Sequence, residues 1–186
     1  MISDARRSPV RQRERIRNVY GYALVLVMIA LFFVADAVNG AYVDLARGIT
    51  GGQPQGMAIA GWLFFFAPFG ALWGLVFRDQ KLETPLGYVL GTAVVLLVPL
   101  VLNFMPTSEN TSLAEIVSGP GGTDLILGLR NGALAGIVPL VVAPIAAFSD
   151  RAQTAAGGEE ALRRALTVCF TAFVIVTLTV AVVLAG

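Results

Sequence analysis

The chain has 186 residues, 56% hydrophobic and only 13% charged, with a mean hydropathy of +0.77. A soluble domain carries about 25% charged residues, so a water-soluble globular enzyme is excluded. Thirteen basic and twelve acidic side chains give a formal charge of +1, a total that hides strong segregation along the chain.

The tail from Met1 to Asn18 holds Arg6, Arg7, Arg11, Arg13, Arg15 and Arg17 against Asp4 and Glu14. Ser8-Pro9 reads as an N-cap and first-turn proline that open a helix running into the first span. The Arg run is topogenic charge at the cytoplasmic interface, with contact to anionic lipids or nucleic acid as the alternative.

Five stretches are apolar enough to cross ~30 Å of hydrocarbon at ~1.5 Å per residue. They are Tyr20 to Val38, Met57 to Phe77, Leu86 to Phe104, Leu125 to Phe148 and Leu166 to Ala185. The expected fold is therefore all-α: residues 1–18 form a basic tail, and residues 19–186 form one integral membrane domain, a bundle of five transmembrane helices. Between the spans lie Asn39 to Gly56, Arg78 to Pro85, Met105 to Asp124 and Ser149 to Ala165, each too short for a separate soluble domain.

The first connecting segment, with Tyr42, Val43, Leu45 and Ile49 around Asp44 and Arg47, fits a surface-lying turn or helix. In the third, Ser112-Leu113-Ala114-Glu115 is a capping-box pattern and Gly119-Pro120-Gly121-Gly122 stops the helix it opens. Asn110-Thr111-Ser112 fits the N-glycosylation triplet, a common chance match. In the fourth, Glu159/Arg163 and Glu160/Arg164 are i,i+4 pairs that extend the fifth helix into water after Gly157-Gly158.

With the N-terminus cytoplasmic, eleven basic residues fall inside, and only Arg47 and Arg130 fall toward the outside. This positive-inside asymmetry places the C-terminus outside, and the expected location is the cell membrane, most naturally a prokaryotic plasma membrane. A competing reading takes the basic tail, the first apolar run and Ala35-Asp36-Ala37 as a cleaved secretory signal. The other four spans keep their orientation in either case.

Two ionisable side chains interrupt the spans: Asp36 in the first and Arg130 in the fourth. Charges at a helix centre cost ~2.5 to 3.5 kcal/mol on the insertion scale, and less near the interface. Three readings follow: an ion pair pinning the first helix to the fourth, two snorkelling side chains, or a substrate or ion site.

Small residues form the clearest packing signal. Gly128, Gly132 and Gly136 make a tandem G-x-x-x-G on the fourth span, Gly70 and Gly74 one on the second, Gly87 and Gly91 one on the third. The last two pairs predict a tight hairpin. Pro68, Pro99, Pro139 and Pro144 interrupt three spans, as proline does in ordinary membrane helices and at transport sites. Gly21-Tyr22-Ala23-Leu24 and Gly87-Tyr88-Val89-Leu90 suggest a two-plus-two duplication, or the recurrence of interfacial tyrosine at a membrane boundary.

The chain has no histidine, one cysteine and one lysine. This removes His-ligated metal or haem, Ser-His and Cys-His pairs and C-x-x-C redox chemistry, and no catalytic residue or cofactor is expected. What the sequence leaves is a non-enzymatic multi-pass protein: a small subunit, assembly factor or membrane organiser, whose partners are the bilayer and a membrane protein or a second copy, with no nucleic acid. A small-solute or ion transporter or channel is the alternative.

Overall fold

A computed structural model describes residues 9–77, 84–102, 111–147 and 149–186. The molecule is all-helical, and no strand occurs among the described residues. Its elements are α1 (Pro9–Thr50), α2 (Pro54–Phe77), α3 (Pro85–Leu102), α4 (Thr111–Ser118), α5 (Gly122–Ala147), α6 (Asp150–Ala156) and α7 (Glu159–Val183). Among the described residues five helices are long and apolar enough to cross a membrane: α1, α2, α3, α5 and α7.

The main departure from expectation is α1. Residues Asn39 to Thr50 continue the first helix without a break instead of forming a separate surface-lying turn or helix, which gives α1 42 residues and a length of about 63 Å. Nothing between Tyr20 and Thr50 breaks a helix: Asn39 is fully buried and Val43 nearly so, so packing overrides the polarity of this stretch. The break comes at Gly51 and Gly52, whose φ angles of 65° and 71° lie in the left-handed region that glycine enters without steric cost.

A short helix does form in the third connecting segment, as α4, and it ends at the turn around Gly121, φ 65°. The fourth segment holds a helix that the hydropathy pattern does not reveal. In α6 the Ser149 side chain accepts from the Ala152 N–H, and the chain leaves the helix through Gly157 at φ 86°. Beyond it α7 begins at Glu159, and its first turns carry the Glu160–Arg164 pair.

Helices α2 and α5 form the closest pair; α7 lies across both, while α1 packs on α3, α2 and α4. Directions alternate along the chain. Tyr20 meets Tyr88 and Thr92 at one end of α1 and α3, and Asn39 meets Leu100 at the other, so these two run parallel. Helix α7 runs against α2: its Phe170 faces Trp73 and its Ala185 faces Gln55. One apolar cluster joins Val43, Met57, Phe65, Leu100, Ile116 and Leu125; a second joins Ala58, Trp62, Ala135, Ala181 and Ala185. Large apolar side chains such as Tyr22, Leu26, Phe33 and Val176 point outward, as a lipid-facing surface requires.

Candidate functional site

The glycines divide sharply. On α5, a Cβ added to Gly128 would overlap the Ala58 carbonyl, one at Gly132 the Trp62 carbonyl, and one at Gly136 would stand 2.9 Å from the Phe69 ring. Gly61 of α2, which has no G-x-x-x-G partner in the sequence, meets the Leu125 carbonyl in the same way. Around Gly74 and Gly91 the space is open, and Gly70 is approached only by Phe66 of its own helix. Gly87 is buried in α3. Gly70, Gly74 and Gly91 therefore do not bring backbones together as the α5 glycines do, and the loop of the hairpin they suggest lies outside the described residues.

Asp36 and Arg130 are not brought together. Both are exposed, and α1 packs on α3, α2 and α4 while α5 packs on α2, α7, α4 and α6. Of the three readings of these residues, the ion pair that would pin α1 to α5 is not found among the described residues. Each was placed by its depth along a helix, whereas its direction around the helix axis decides what it can reach.

Asp36 instead lines a groove of about 380 Å³ between α1 and α4, together with Gly40, Val43, Asp44, Arg47, Glu115 and Ile116. On α1 these residues follow the i, i+4 and i+3 steps that place side chains on one helical face, and the missing side chain at Gly40 leaves the middle of the groove open.

The guanidinium of Arg47 is engaged on three sides. Its Nη2 donates to the Ile116 carbonyl at 3.0 Å, its Nε donates to the Pro120 carbonyl at 3.2 Å, and Nη1 lies 3.8 Å from Asp44 Oδ1. Its charge sits where the last carbonyls of α4 lack intrahelical partners, and in the last turn of its own helix, where a cation is favoured. The groove is thus lined by Asp36, Asp44 and Glu115 together with Arg47, whose charge is committed to Asp44 and the two carbonyls. It can draw cations toward it, but among the described residues no group of His, Cys, Asp and Glu side chains has the arrangement of a metal site.

Other polar side chains also fasten helix to helix. Asn39 Nδ2 donates to the Leu100 carbonyl of α3 at 2.9 Å. Tyr42 donates its hydroxyl proton to the Ala60 carbonyl at 2.6 Å. Trp62 Nε1 donates to Thr177 Oγ1 at 3.3 Å. Sequence reading missed these residues because an amide, a phenol or an indole in an apolar run gives no sign of its partner. Arg47 carried a usable signal, a lone cation just before Gly51-Gly52 at the end of a helix.

Arg6, Arg7, Arg78, Lys81 and the glycosylation triplet's Asn110 lie outside the described residues. No family model, curated protein or solved structure matches the chain.

Proposed function

We propose that this chain is a non-enzymatic multi-pass membrane protein that works by helix packing, as a small subunit, assembly factor or membrane-organising protein. It resides in a prokaryotic plasma membrane, with its N-terminus in the cytoplasm, its C-terminus outside, and its Arg-rich tail against anionic head groups. The observation that carries the reading is the use of interhelical polar groups as fasteners. Asn39, Tyr42, Arg47 and Trp62 each bond to a second helix, which is how polar residues hold membrane bundles together.

Mild extraction of the native membrane followed by native mass spectrometry tests it. A stoichiometric complex with another membrane protein, or with a second copy and no flux on reconstitution, supports the packing role; a lone species that carries solute across vesicles refutes it.

The second reading, a small-solute or ion transporter, is favoured by the groove that gathers Asp36, Asp44 and Glu115 beside Arg47. It requires cation-dependent flux that Asp44→Asn and Glu115→Gln abolish while the protein stays folded.

A further inference from the structure

A second cavity, of about 240 Å³, opens between α2, α5 and α7, lined by Phe66, Gly70, Trp73 and Gly74 of α2, Pro139 of α5, and Thr167, Phe170, Thr171 and Val174 of α7. Its floor is open at Gly74, where no side chain or neighbouring helix comes within 4 Å of where a Cβ would stand, while the Phe66 ring lies over Gly70. Its walls are aromatic, with Trp73 and Phe170 at 6.0 Å between ring centres.

The two threonines do not make it polar. Thr167 donates to the Arg163 carbonyl and Thr171 to the Thr167 carbonyl, each at 2.8 Å. Their hydroxyls are thereby satisfied within α7, and the groove asks only for apolar surface. The volume is below the roughly 300–1,000 Å³ usual for a whole small molecule, which suits a length of hydrocarbon chain. The groove belongs to three helices that are apolar enough to span a bilayer.

The same face of α7 continues one and two turns toward its start into Arg163, Arg164 and Glu160, by the i, i+4 and i+3 steps that align side chains on a helix. Arg164 pairs with Glu160 there. Two acidic residues, Glu159 and Glu160, balance Arg163 and Arg164 at this rim. This stretch of α7 complements a head group that carries both a phosphate and an ammonium, and of itself adds no net attraction for a purely anionic one.

We infer that the groove between α2, α5 and α7 is a binding site for a zwitterionic aminophospholipid, one acyl chain lying along Gly74, Phe66 and Phe170 and the head group resting among Glu160, Arg163 and Arg164. The site goes beyond the packing role and stands whether or not that role is correct.

The test uses fluorescence quenching of Trp73, one of two tryptophans in the chain, in a Trp62→Phe background. The protein is placed in nanodiscs of mixed composition in which only one lipid class carries brominated acyl chains. With brominated phosphatidylethanolamine as the minor component, quenching of Trp73 should exceed the random-mixing level by roughly fivefold in local enrichment, about 1 kcal/mol. Brominated phosphatidylglycerol at the same mole fraction should stay at the random level. Gly74→Leu, which fills the groove without a clash at Cβ, should return phosphatidylethanolamine to random mixing. If it fails to extract as folded protein, Thr171→Phe fills the groove from the α7 side and serves instead.

Quenching that tracks mole fraction for every lipid overturns the proposal, and so does equal enrichment of the two classes. A dimer that Gly74→Leu converts to monomer, with no lipid preference in either form, assigns the groove to a second copy and also overturns it.

Discussion

Gly61 of α2 and Gly128 of α5 occupy equivalent places: each faces the carbonyl of the residue three positions before the other, Gly61 that of Leu125 and Gly128 that of Ala58. Two parallel helices meeting this way present backbone to backbone. With no methyl group possible at either point, the helices approach more closely than leucine side chains would allow. In lipid, where burial of apolar surface between helices gains little over burial against acyl chains, such close van der Waals contact drives association.

Gly128→Ala should therefore lower stability by about 1 to 3 kcal/mol, the usual cost of overpacking, although alanine is the better helix former. Gly91→Ala should be neutral or stabilising by up to about 1 kcal/mol, because its surroundings are open. Gly132→Ile against Val141→Ile makes the same comparison with a larger side chain, Val141 being exposed. Thermal unfolding in detergent reads both pairs, and equal melting of Gly128→Ala and Gly91→Ala would show that the α2–α5 contact does not depend on its glycines.

Arg47 predicts a local effect. Arg47→Gln removes the charge-assisted bonds to the Ile116 and Pro120 carbonyls, which are worth about 1.5 to 3 kcal/mol apiece in favourable settings. Hydrogen exchange should then accelerate in α4 and the Gly119–Gly122 turn while α7 keeps its protection. Arg47→Lys should recover only part, because an ammonium cannot hold two divergent carbonyls in the fork geometry of a guanidinium. Uniform acceleration through all helices would mean that Arg47 supports the whole bundle and not this corner.

Hydropathy alone made legible five helices long and apolar enough to cross a bilayer, because such a span needs ~20 apolar residues in a row. Helix α4 was legible from Ser112, Glu115 and the glycines after Ser118. The extension of α1 past Val38 was not: residues 39–50 mix polar and apolar side chains, and only the buried packing of Asn39, Val43 and Ala46 decides for helix. The glycine motifs show the limit most clearly. Spacing says that Gly70 and Gly74 share a face, as do Gly128 and Gly132, but not which face a neighbouring helix covers.

Asn39 is fully buried, and its Oδ1 has no partner although Nδ2 is bonded to the Leu100 carbonyl. Asn39→Leu loses that bond but also removes the unsatisfied oxygen, so its net cost should stay within about 1.5 kcal/mol. Asn39→Asp removes the donor and sets a carboxylate against a carbonyl, an uncompensated buried charge that should cost at least about 3 kcal/mol. Chemical denaturation in mixed micelles ranks the two, and the order Leu below Asp in stability would contradict the burial of this side chain.

Orientation is checked in a Cys169→Ser background with one cysteine introduced at a time. Ile49→Cys, at an exposed position near the end of α1, should react with an impermeant thiol reagent on intact cells. Ala155→Cys, at an exposed position in α6, should react only after permeabilisation. The reverse pattern would invert the topology and move the aminophospholipid rim to the outer leaflet.

Asp36 and Arg130 separate packing from transport. Because they do not meet, Asp36→Asn and Arg130→Gln should have effects that add within about 0.5 kcal/mol in a double-mutant cycle, as independent distant sites do. Each change should also be small, since both side chains are exposed. A coupling energy well above that margin would mean the bundle closes further in a bilayer and brings α1 onto α5. Additive stability with loss of flux in Asp36→Asn alone would instead assign the α1–α4 groove to a cation path, because Asp36 lines that groove and Arg130 lies on a different helix. Small, additive effects with no flux phenotype leave both residues outside any site and favour the packing role.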